Sequence, residues 1–103
     1  LSAPDDSLTE MKWRSVMAKI LARRGDVDQA VALVHEAAAI GSATGYLDWY
    51  AGVLVDVAEV EAVAARAPEA IDALRRSAGL YARKGNVISA AAVEGRLREA
   101  SPA

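Results

Sequence analysis

Gly25-Asp26-Val27-Asp28-Gln29-Ala30-Val31 is echoed forty residues later by Ala65-Arg66-Ala67-Pro68-Glu69-Ala70-Ile71. Aligned on Ala30 and Ala70, the positions that follow also coincide: Val31 with Ile71, Val34 with Leu74, Ala37 with Ser77 and Ala38 with Ala78. A third echo, Ala82-Arg83-Lys84-Gly85-Asn86-Val87, matches Ala22-Arg23-Arg24-Gly25-Asp26-Val27. Recurrence at this spacing marks stacked helical repeats, each unable to bury its apolar face alone.

Working outward from these phrases, helical periodicity accounts for the whole chain. Residues 1–6 read as a flexible lead-in, and 7–100 as one helical-repeat domain. Five helices are expected, at about 8–24, 27–40, 46–64, 68–84 and 87–100. Ser7 and Glu10 have capping-box spacing, and Trp13, Val16, Met17, Ile20 and Leu21 then form an apolar stripe. Gly25 ends the first helix, with Arg23 and Arg24 complementing the dipole of its last turn. Asp26 with Gln29 caps the second, whose buried stripe is Val27, Ala30, Val31, Val34, Ala37 and Ala38; Gly41 closes it.

After the turn Gly41-Ser42-Ala43-Thr44-Gly45, the third helix is expected to bury Tyr46, Tyr50, Val53, Leu54, Val57 and Ala58. Pro68 suits the first turn of the fourth, which buries Ala70, Ile71, Leu74, Ala78 and Tyr81. Gly85 ends that helix and Asn86 caps the last, where Glu94 interrupts the apolar face in the manner of a terminal cap. Remaining glycines, Gly52, Gly79 and Gly95, read as close helix contacts or tolerated positions. No strand alternation is present, and alanine, the best helix former, dominates every segment.

Composition sets the outer bounds. With 103 residues, 53% hydrophobic and 25% charged, the chain has the makings of one ordered domain. It contains no cysteine, which excludes a disulfide framework and thiolate metal sites. A net charge of −2 argues against a dedicated nucleic-acid binder, and no apolar run reaches the ~20 residues needed to span a bilayer. A cytoplasmic protein is expected, and the start at Leu1 suggests a fragment of a longer polypeptide.

A search for chemistry finds little. His35-Glu36 opens like a zinc-protease motif, but position 39 is alanine, so the second ligand is missing. One histidine without cysteine makes neither a metal site nor a nucleophilic constellation. No glycine run forms a phosphate loop. On a helix Asp56 and Glu59 share a face while Glu61 points to the apolar side, a costly position unless a neighbouring basic side chain pairs with it or the helix end gives it access to water. No cofactor is expected, and no enzymatic activity. Trp49, at the border of its buried arc, is either core or an interface anchor, since tryptophan is enriched at binding hot spots; Trp13 reads as core.

The pattern resembles tetratricopeptide repeats: a small residue in helix A (Ala18), a Gly-Asp turn (Gly25-Asp26), and two alanines seven apart in helix B (Ala30, Ala37). The second unit follows through Ala58, Ala65, Ala70 and Ser77, with Ala65 in place of the turn glycine and Glu61 where the family carries a large apolar side chain. Its spacing of forty exceeds the family's ~34. Residues 13–97 more narrowly resemble the C-terminal helical repeats of large bacterial signalling ATPases and transcriptional regulators, some of them linked to cyclase domains.

The resemblance implies an all-α, tetratricopeptide-like right-handed stack of two antiparallel helix pairs plus a C-terminal capping helix. It implies a non-catalytic scaffold for protein–protein interaction in a bacterial regulator. A concave groove would be lined by Lys12, Ser15, Lys19, Ala22 and Arg23, then Gly52, Val55, Glu59, Ala62 and Val63. With Trp49, the partner-facing set is Lys12, Ser15, Lys19, Arg23, Trp49, Val55 and Glu59. The partner would be a protein or peptide, with no direct nucleic-acid contact and no membrane. Alternatives are effector sensing, in which the basic stripe Lys12, Lys19 and Arg23 grips an acidic peptide or small acid, and self-association into a homo-oligomer or spacer.

Overall fold

A computed structural model of the chain describes residues 4–100, and over these it is all helical: α1 (Pro4–Arg23), α2 (Val27–Thr44), α3 (Leu47–Val63), α4 (Ala67–Lys84) and α5 (Val87–Ala100). Connections of two or three residues force each helix back along its predecessor. Consecutive helices pack pairwise, and α1 also reaches α3. The Cα extents are 46 × 35 × 16 Å.

The turns carry the repeat. Gly25, Gly45 and Gly85 have φ of 90°, 77° and 87°, and Ala65 joins them at 62°. Left-handed residues thus fall at 25, 45, 65 and 85, every twenty residues. Three of the four turns share one bonding pattern. Asp26 N–H donates to Leu21 O at 2.9 Å and Gly25 N–H to Ala22 O at 3.2 Å; Arg66 to Glu61 (2.8 Å) with Ala65 to Ala62 (3.1 Å), and Asn86 to Tyr81 (2.9 Å) with Gly85 to Ala82 (3.0 Å), repeat it. This is the Schellman closure, which satisfies the carbonyls a helix end leaves free. At the fourth turn Thr44 substitutes a side chain: its hydroxyl donates to Gly41 O at 2.7 Å and accepts from Tyr46 N–H at 3.1 Å.

Several expectations need correction. Helix α1 is already formed at Pro4, the first described residue, rather than starting near Leu8; proline's fixed φ and missing N–H are compatible with the first turn of a helix. The Ser7/Glu10 box therefore lies inside the helix, and of the expected lead-in only residues 1–3 fall outside the described residues. Asp26 makes no side-chain capping bond, whereas Asn86 Oδ1 does accept from Ser89 N–H at 3.2 Å. Gly41 does not end α2. It is buried within the last turn of the helix, where an added Cβ would stand 3.1 Å from Met11 Sδ and 3.4 Å from the Tyr50 Cα; the glycine lets α1, α2 and α3 converge. Gly45 is the terminator.

The largest correction concerns α1. Its core-facing side is Met11, Ser15, Ala18 and Ala22. Of the expected stripe only Leu21 packs against the core; the rest is exposed on the opposite side, with Trp13 at 47%, Val16 at 55%, Met17 at 42% and Ile20 at 39% of full accessibility. Small side chains permit close helix approach, and that packing outweighs the greater hydrophobic area of the larger face. Tyr46, expected inside, is also exposed, stacked on Trp49 with ring centroids 4.6 Å apart. The α2, α3 and α4 stripes otherwise supply the core, through Val34, Val53, Leu54, Val57, Val60 and Leu74 among others, with Ser77 donating to Ala51 O at 2.8 Å across α3 and α4.

Candidate functional site

Helices α1 and α3 meet along a shallow groove of about 490 Å3. From α1 it is lined by Leu8, Met11, Lys12, Ser15, Val16 and Lys19, and from α3 by Asp48, Trp49, Gly52, Val53 and Asp56. Each set follows helical spacing, so one face of each helix forms one wall. Of the residues expected to face a partner, Lys12, Ser15, Lys19 and Trp49 come together here.

The other three do not. Val55 lines a separate depression with Tyr81 and Val93, and Glu59 a third one against Arg96 and Glu99, both on the α5 side of α3. Arg23 is exposed beyond the end of the groove. The expected lining splits because α3 presents Asp48, Gly52 and Asp56 toward α1, while Val55, Glu59 and Ala62 turn toward α5.

The charge in the α1/α3 groove is balanced rather than basic. Lys19 Nζ pairs with Asp56 Oδ1 at 3.1 Å, and Lys12 and Asp48 add one charge of each sign. Among the described residues, two polar atoms on its walls are buried without a hydrogen-bond partner: Ser15 Oγ, on a residue only 5% exposed, and Asp48 Oδ1. Leaving such a group unbonded costs about 1–3 kcal/mol, more for a charged one. Asp48 escaped the sequence reading, although its spacing of four from Gly52 and eight from Asp56 places all three on one helical face.

The surroundings of the groove are fixed by further contacts. Tyr81 reaches α3 at Gly52, where an added Cβ would sit 3.5 Å from its hydroxyl. Burial, followed by the negative charges of Asp48 and Asp56, pushes the Tyr81 phenol above its usual value of 10.0. On the side of α1 next to α2, Arg14 donates to Glu10 Oε1 at 2.6 Å and to Glu36 Oε1 at 3.2 Å. The Arg14 guanidinium, and after it the Trp13 indole N–H, holds the Glu10 carboxyl below its usual 4.5.

A second groove, of about 620 Å3, runs between α2 and α4 over α3. At one end lies Glu61, 1% exposed, paired with His35 Nε2 at 3.0 Å and with Arg66 Nε at 3.4 Å. The expected basic partner for this acid is present as Arg66, with His35 hydrogen-bonded beside it. Both stand at the surface, so the carboxylate is buried while its partners keep contact with water. At the other end Arg76 donates to the Tyr50 hydroxyl.

Among the described residues no group of three or more His, Asp or Glu side chains is placed to hold a metal ion. No described helix is long and apolar enough to cross a membrane. Set against protein-family models, curated proteins and solved structures, the chain matches none of them.

Proposed function

We propose that this chain is a non-catalytic protein-interaction module whose α1/α3 groove receives a peptide segment of a partner. The observation that carries the reading is the pair of orphaned groups on the groove walls, Ser15 Oγ and Asp48 Oδ1, beside the half-buried indole of Trp49. A partner that supplies hydrogen-bond donors relieves both as the Ser15 and Asp48 side chains turn into the groove to meet it, and an apolar side chain laid against Leu8 and Trp49 adds buried area. Backbone N–H groups or a basic side chain meet that need. An acidic segment does not, because Lys19 is already engaged by Asp56.

The tetratricopeptide-like stack belongs to the same proposal. It is supported by the recurrent Schellman turns and by the direct packing of α1 on α3, the arrangement that lines a groove with alternate helices. The wording of residues 13–97 supports placing such a module in a bacterial regulatory protein. The non-catalytic part of the reading is supported by the sequence, whose single histidine and lack of cysteine leave little from which to build a nucleophilic constellation.

Peptide-display selection against the folded chain tests this. Selected peptides are expected to carry donors rather than clustered acids, and to bind at least about thirtyfold more weakly to Trp49→Ala, the size of a hot-spot loss. Trp49 emission, followed in a Trp13→Phe background, is expected to change on binding. Peptides that bind Trp49→Ala, Ser15→Val and Asp48→Asn as tightly as the parent would refute the groove.

A further inference from the structure

Among the described residues nothing covers the outer face of α1, and its composition is wrong for the exposed end of a helical stack. A terminal helix needs a polar outer surface to keep the stack soluble. Helix α5 meets that need with exposed Glu94, Arg98 and Glu99, its exposed large apolar residues being confined to Val87 and Ile88 in the first turn. Helix α1 instead shows Trp13, Val16, Met17 and Ile20 on one side. These positions follow helical spacing and form a continuous stripe diametrically opposite the Ser15/Ala18/Ala22 face.

The ends of this stripe carry opposite charges. Asp6 lies at its start and Arg24 just past the helix end, both exposed. Their separation is five helical turns, so they share one angular position about 27 Å apart along the axis. A helix laid antiparallel on α1, with a twofold axis level with residue 15, brings Arg24 of one copy opposite Asp6 of the other, twice. The same register sets Trp13 against Met17, a sulfur–aromatic pairing, and opposes the two helix dipoles. The indole is already held for such a contact, with the Arg14 guanidinium 4.5 Å from its ring centroid.

We propose that the outer face of α1 is an isologous interface, occupied by α1 of a second copy of this chain in antiparallel register. A twofold arrangement is favoured over head-to-tail stacking because α5 offers no matching apolar stripe for α1 to cover. The patch is on the order of a few hundred Å2, the size that marks interaction sites on monomers. A permanent dimer needs ~800 Å2 from each partner, so the association is reversible and depends on concentration.

Sedimentation equilibrium of the 103-residue chain over a concentration series tests the proposal. The mass is expected to rise from the 10.8 kDa of one chain toward twice that value. Met17→Glu and Ile20→Glu, both at exposed positions outside the α1/α3 groove, are expected to weaken the dimer at least about tenfold while leaving the melting temperature of the monomer nearly unchanged. Asp6→Arg and Arg24→Glu are each expected to weaken it severalfold, and the double exchange to restore it, since the pair is re-formed with signs reversed. A chain that stays monomeric at its highest soluble concentration overturns the proposal and leaves the stripe to a different occupant, such as a helix of a longer polypeptide. A dimer that survives Met17→Glu and Ile20→Glu, or a double exchange that fails to rescue, also overturns it.

Discussion

Replacing Ala65 by glycine should stabilise this protein, although it removes a methyl group and adds freedom to the unfolded chain. Ala65 holds φ at 62° in the α3–α4 turn, the position that Gly25 and Gly85 occupy in the turns after α1 and α4. An L-residue with a Cβ in this conformation costs roughly 1–2 kcal/mol. Glycine avoids that penalty but gives back part of the gain, about 0.5–1 kcal/mol, through its more flexible unfolded state. The net expectation is a gain of about 0.5–1 kcal/mol, or a few degrees in melting temperature for a domain of this size. The turn itself should not move, because its two closing bonds, Arg66 N–H to Glu61 O and Ala65 N–H to Ala62 O, are backbone bonds that glycine makes equally well. Urea unfolding followed by circular dichroism, with Gly25→Ala and Gly85→Ala as mirror-image controls, is the direct assay. The controls should lose about 1 kcal/mol each. An Ala65→Gly variant that is less stable than the parent, while both controls behave as stated, would refute the assignment of strain to this residue.

Ser15→Ala should raise stability by about 1 kcal/mol, since it removes an unbonded buried hydroxyl and improves helix propensity, and the same change should weaken capture of a peptide in the groove. Chemical denaturation and peptide titration of one preparation check both halves. Glu61→Leu is expected to leave stability unchanged or raised, because an apolar side chain replaces a buried carboxylate while His35 and Arg66 remain hydrated; a large loss in thermal melts would show that the contacts with His35 and Arg66 outweigh the desolvation of the carboxylate. Gly79→Ala, with open space where its Cβ would go, should gain up to about 1 kcal/mol, whereas Gly41→Ala, crowded by Met11 and Tyr50, should gain nothing or lose stability in the same urea assay. By NMR titration the Glu10 carboxyl should ionise below 4.5, and Arg14→Ala should move it upward. As a depressed acid, Glu10 contributes stability above its unfolded pKa, and that contribution is lost as pH falls through the folded value.

Where the helix boundaries were legible in the sequence, their determinants are local. Gly25, Gly85, Asn86 and Pro68 each act through one turn of backbone, and each does in the structure what its chemistry requires. The turn at Ala65 was legible only as an echo, because alanine hides a left-handed residue that glycine would have announced. Gly41 and Gly45 exchanged roles for a related reason. Either glycine can end a helix, and only the approach of Met11 and Tyr50 to Gly41, a contact between helices, decides which one does.

What the sequence could not rank was the two faces of α1, and the groove depends on that ranking. Apolar area alone favours burying Trp13, Val16, Met17 and Ile20, each of which gains about 1.5–3 kcal/mol on full burial. The opposing face has only Met11, Ser15, Ala18 and Ala22, yet it lies against the core. Alanine and serine let α1 approach α2 and α3 closely enough for continuous contact, a benefit that belongs to all three helices and is invisible in the residues of one. The same rotation of α1 places Lys12, Ser15 and Lys19 beside Asp48 and Trp49, and turns the large apolar stripe outward. Had the larger face been buried, Ser15 would have pointed to water and the α1/α3 groove would have lost one of its two orphaned polar groups. The groove and the outward stripe are thus two consequences of one packing choice, and a substitution that reversed it, such as Ala18→Leu, should abolish both together.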